Sequence, residues 1–82
     1  MKTMTKRELQ KRFDTLGHIL NVSRDRGYFN WGQRTCINME RAAILRAQDV
    51  IDLGEAETAK PSYTIPRHLE AKCQQVLKDF KQ

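Results

Sequence analysis

Apolar residues recur along this chain in three helical stripes. Leu9, Phe13, Leu16 and Leu20 are spaced by four, three and four positions, with Ile19 beside them. That period lines one side of an amphipathic helix. Thr5-Lys6-Arg7-Glu8 has the form of a capping box, and Met4 and Leu9 stand at the spacing of a hydrophobic staple. Gly27 can take the left-handed conformation that ends a helix, so the pattern predicts a first helix over 6–26. Gly17, in its middle, either weakens the helix slightly or lets another helix come close.

The second stripe is Cys36, Ile37, Ala43, Ile44, Ala47, Val50 and Ile51. It predicts a helix that begins near Gln33 or Thr35, spans 35–53 and is closed by Gly54, with its broad face at the centre of the fold. Leu69, Cys73, Val76 and Phe80 repeat the four-three-four spacing, with Leu77 alongside. They predict a third helix over 66–81, opened by Pro66, which suits a first turn. Residues 54–65 read as a linker, with Lys60 and Ile65 extended because each precedes a proline. No strand alternation, internal repeat or low-complexity tract is visible. The expectation is an all-α fold: a small three-helix bundle forming a single domain over 1–82, with an aromatic loop between the first two helices. Its connections, of about seven and twelve residues, do not match the short turn of a helix-turn-helix DNA reader.

Size narrows the function. A domain of 82 residues buries only about 60% of its unfolded surface, which leaves little room for a deep catalytic pocket. The chain carries a formal charge of +5, unevenly spread. Residues 1–34 hold eight Lys/Arg against three Asp/Glu, 35–59 two against five, and 60–82 five against two. Such asymmetry predicts attraction to an acidic surface, and it also permits pairing between the acidic middle and the basic ends. Met1-Lys2-Thr3 is not followed by the apolar run of a signal peptide, and no stretch is apolar enough to span a membrane. These features predict a cytoplasmic protein whose Cys36 and Cys73 stay reduced and pack as small hydrophobes.

The segment Arg24-Asp25-Arg26-Gly27-Tyr28-Phe29-Asn30-Trp31-Gly32-Gln33-Arg34 concentrates three of the six aromatic residues between two glycines. Tyr, Trp and Arg dominate protein-interface hot spots, which makes Arg26, Tyr28, Trp31 and Arg34 candidate partner-binding residues. Rings beside arginines also suit single-stranded nucleic acid. A third reading is structural: the aromatics fold inward and cap a thin core, Phe29 before the others. The basic face Lys2, Lys6, Arg7, Lys11 and Arg12 can meet phosphates or an acidic protein patch, or be an ordinary solvated face. The set Arg67, Lys72, Lys78 and Lys81 reads in the same two ways.

Motifs for chemistry are missing. His18, Cys36, His68 and Cys73 are the residue types of a zinc site, but without its spacing, so neither metal nor other cofactor is expected. There is no phosphate-binding glycine loop, H-E-x-x-H or G-x-S-x-G. Glu40, Asp49 and Asp52 read as helical surface carboxylates interspersed with arginines. Lys60-Pro61-Ser62-Tyr63-Thr64-Ile65-Pro66 reads as an interhelix connection with Tyr63 and Ile65 on the core. Its two X-Pro bonds also permit presentation to a partner such as a prolyl isomerase. The functional expectation is a small non-enzymatic regulatory or inhibitory adaptor that docks on a larger protein. A nucleic-acid-processing enzyme is the partner class in view, and an accessory protein of a phage or mobile element fits the size. A direct nucleic-acid binder using the basic first helix and the Arg/aromatic loop is the alternative, and a self-assembling helical component the third.

Overall fold

A computed structural model describes residues 3–80 as three helices with one minimal sheet. The first strand, β1 (Met4–Thr5), leads into α1 (Lys6–Ser23). The capping box forms: Thr5 Oγ1 accepts from the Glu8 amide at 3.2 Å, and Glu8 Oε1 accepts from the Thr5 amide at 2.9 Å. The helix tightens into a 3-10 turn over Arg24–Arg26, and Gly27 ends it at φ 62°. A side chain at that φ would be strained, which is why a glycine stands there.

Helix α2 (Trp31–Asp52) starts earlier than the apolar stripe indicates. Asn30 Oδ1 accepts from the Gln33 amide at 2.8 Å, and Gln33 Oε1 accepts from the Asn30 amide at 3.0 Å. This second capping box is written in Asn30-Trp31-Gly32-Gln33, ahead of the first apolar residue. Trp31, expected in the loop, is therefore the first residue of a helix. At the far end the Glu55 amide donates to the Val50 carbonyl at 3.2 Å and the Gly54 amide to that of Ile51 at 3.0 Å. With Gly54 at φ 78° this is a Schellman closure.

Strand β2 (Thr58–Ala59) follows and pairs antiparallel with β1, Met4 opposite Ala59 and Thr5 opposite Thr58. The expectation of no strand is corrected on this point. Two-residue strands are too short to carry an alternation, and they form because the linker is drawn back over the start of α1. Helix α3 (Arg67–Asp79) begins one residue after Pro66, which is extended and serves as its cap. Lys81, the expected last residue of α3, lies outside the described residues.

The core is built from Leu9, Leu16 and Ile19 of α1, Ile37, Ala43, Ile44 and Ala47 of α2, and Leu69, Cys73 and Val76 of α3. Phe29 and Ile65 close it from the connections. The apolar face of α2 is buried in this core as expected, and both α2 and α3 pack against α1. Val50, Ile51 and Cys36 sit at the half-buried margin.

Ser23, Glu40 and Gln48 are the buried polar residues among those described, and Glu40 alone of them carries a charge. Glu40, read from sequence as a surface carboxylate, is only 2% exposed. Its position on α2 lies between Ile37 and Ala43/Ile44, on the buried face. Arg12 reaches it from α1, through Nε to Oε2 at 2.7 Å and Nη2 to Oε1 at 3.3 Å, and the Ile65 amide donates to Oε1 at 2.9 Å. Arg12 also bonds Glu70 of α3 through Nη1 and Nη2, so a single guanidinium ties all three helices.

Candidate interaction surface

The four residues expected to bind a partner separate into two pairs. Arg26 and Tyr28 close one end of the bundle. The Tyr28 hydroxyl donates to Asp79 Oδ2 at 3.0 Å, and its ring lies 5.6 Å from Phe29 and 6.0 Å, edge-on, from Phe80. The hydrogen bond to Asp79 raises the Tyr28 pKa. The Arg26 guanidinium sits 4.5 Å over the Phe80 ring, and Lys72 Nζ lies 5.3 Å from Phe29. These contacts bind the loop to α3. Trp31 and Arg34 face solvent instead, Trp31 with 82% of its surface exposed. Its backbone belongs to the first turn of α2, which carries the indole outward, past the core-capping Phe29.

The basic face of α1 divides likewise. Arg12 is taken up by Glu40 and Glu70. Burial opposes its charge, but the two carboxylates outweigh that and raise its pKa. Lys6 pairs with Asp52 across to α2, as the charge segregation along the chain allows. Arg7 and Lys11 remain exposed, and Lys2 lies outside the described residues. Of the C-terminal set, Arg67 and Lys78 are exposed, while Lys72 is half-buried and donates to Gln33 Oε1 at 3.4 Å.

A polar groove of about 510 Å³ runs between α1 and α2. Gly17, His18, Leu20, Asn21 and Arg24 form one wall; Arg34, Asn38 and Arg41 form the other. Three arginines line it, and among the described residues no acidic side chain does. Arg41 lies 4.1 Å over the Phe13 ring, and its Nε is buried without a hydrogen-bond partner among the described residues. Gly17 makes this placement possible, since a β-carbon there would stand 2.8 Å from Arg41 Nη2. The close approach across Gly17 is thus made by a side chain of α2. Trp31, Arg34, Asn38, Arg41 and the exposed Leu45 recur at steps of three and four, so they share one face of α2.

A second concavity, about 420 Å³, is lined by Met4, Pro61 and Ile65 above Arg12, Glu40 and Glu70. The Arg12 bonds to Glu40 and Glu70 engage four of the five guanidinium N–H groups, so its polar floor is already committed within the fold. The linker beside it is packed: Pro61 and Ile65 are buried, and Tyr63 is half-buried with its hydroxyl against the Cys36 thiol. Both cysteines are free, and His18 and His68 are exposed. Among the described residues no three His, Cys, Asp or Glu side chains group to hold a metal ion.

Sequence reasoning reached Trp31 and Arg34 and took in Arg24 within the same segment, but missed Arg41 and Asn38. Their signal is a polar i, i+3/i+4 stripe on each helix, plus a glycine in mid-helix. Which two stripes face each other is set by the packing. No described helix is long and apolar enough to cross a membrane. No family model, curated protein or solved structure matches the chain.

Proposed function

We propose that this chain is a small non-enzymatic adaptor, acting in the cytoplasm, that regulates or inhibits a larger protein by docking on it. The observation that carries the reading is Trp31, 82% exposed at the head of a stripe that continues through Arg34 and Arg41. A solvated indole contributes little to its own fold, while Trp and Arg together are the side chains most enriched in interface hot spots. A nucleic-acid-processing enzyme, whose surface carries acidic patches, suits this cationic face as a partner class.

The alternative, direct nucleic-acid binding, draws support from the three groove arginines and from exposed Arg7 and Lys11. Against it, Tyr28 and Phe29 are packed into the bundle and Arg12 is committed internally. Trp31 is left as the one aromatic residue fully available for base stacking, where single-strand binders stack successive bases.

Affinity capture of the tagged chain from a lysate, with and without nuclease, tests the reading. A nuclease-resistant protein partner is expected, and Trp31→Ala should weaken its capture about thirtyfold while leaving the melting temperature unchanged. Recovery of RNA or DNA alone, or capture undiminished by Trp31→Ala, overturns it.

A further inference from the structure

We infer that the α1–α2 groove seats an acidic, carboxylate-bearing peptide segment, an assignment that deepens the docking reading and rests on it for the protein nature of the partner. Arg24, Arg34 and Arg41 place three permanent cations in one concavity with no acid lining it among the described residues. Arg12, by contrast, is matched by two carboxylates within the fold. Arg41 is also held in position. It stacks on Phe13, it occupies the space left by the missing side chain of Gly17, and its buried Nε–H has no acceptor among the described residues. An unpaired buried donor is unfavourable, so this placement of Arg41 is one the fold does not satisfy by itself.

Two features favour peptide over phosphodiester. Asn21 and Asn38 line opposite walls of the groove, and each amide offers both a donor and an acceptor, as a peptide backbone requires. A phosphodiester backbone presents acceptors alone, and the bases that follow it would find a single stacking surface in Trp31. The spacing also fits. Arg34 and Arg41 are two turns apart, roughly 10 Å along α2. An extended peptide rises about 3.3 Å per residue, so acids at i and i+2 stand about 7 Å apart on one side. Two long arginine side chains can reach both.

Fluorescence anisotropy with a labelled Glu-Gly repeat peptide tests this, with a Gln-Gly repeat and a short thymidine oligonucleotide as comparisons. The acidic peptide should bind and the neutral one should not. Arg34→Gln and Arg41→Gln should each weaken binding about tenfold or more. Gly17→Ala should do the same by displacing the Arg41 guanidinium, with no fall in melting temperature, because alanine is the better helix former. An acidic peptide that fails to bind, variants that bind like the unaltered chain, or an oligonucleotide that binds in place of the peptide each overturn the assignment. The two readings fail separately. Capture of a protein through Trp31, with no peptide binding, removes the groove assignment and leaves docking; peptide binding with no protein capture removes docking and leaves the groove.

Discussion

Arg12 and Glu40 join α1 to α2 by two hydrogen bonds, Nε to Oε2 at 2.7 Å and Nη2 to Oε1 at 3.3 Å. Glu40 is buried to 2% exposure, so its carboxylate depends on that guanidinium and on the Ile65 amide for compensation. Removing one partner of a buried pair leaves an uncompensated charge.

Arg12→Met should therefore destabilise the fold by about 3–5 kcal/mol, close to the whole stability of a small domain. Adding Glu40→Gln should recover part of the loss, because the amide carries no charge and its oxygen still accepts from Ile65. Urea denaturation of the two variants checks this. A double variant weaker than Arg12→Met by itself would show that the charge is not what makes the loss large.

Glu70 gives the pH dependence its sign. Burial raises its carboxyl pKa, but hydrogen bonds from Arg12 and Gln74, with the charge of Arg12, outweigh burial and bring it below the ordinary value of 4.5. A depressed carboxyl contributes stability that is complete above that ordinary value and is lost as pH falls through the lowered one. Glu70→Gln should accordingly cost stability at neutral pH, with the gap to the unaltered chain closing in acid. Urea midpoints across acid pH measure it; a gap that widens on acidification contradicts the pairing.

Asn30 and Trp31 are neighbours with opposite expected behaviour. Asn30→Ala removes the cap of α2 and should cost about 1 kcal/mol. Trp31→Ala trims a solvated side chain and should stay within about 0.5 kcal/mol. Thermal melts of the two variants decide whether the α2 start lies where the second capping box puts it.

The two thiols should react at different rates. Burial pushes the Cys73 pKa up to about 11, so the group is protonated and enclosed at neutral pH. Cys36 is half-buried at the edge of α2. A disulfide-exchange reagent should modify Cys36 first, and Cys73 only as fast as the bundle opens, with urea erasing the difference. Equal rates in the folded protein would place Cys73 outside the core.

Much of the fold is legible in local periodicity. The stripe Leu9, Phe13, Leu16, Leu20 and the Thr5–Glu8 box specify α1 because both signals act within a turn or two of backbone. Gly27 and Gly54 end their helices through their own φ freedom. The start of α2 was equally present, as Asn30 with Gln33, but it lies in a polar and aromatic stretch where the apolar period is silent. Tertiary structure decided the rest. The β1–β2 pair, Glu40 in the core and Arg12 at the meeting of three helices depend on residues far apart in sequence, whose pairing no local pattern encodes. The candidate groove is of the same kind. Sequence alone supplies arginines on two helix faces and a glycine between them; only helix packing sets Arg41 over Gly17, because close approach is a property of two surfaces and not of either one.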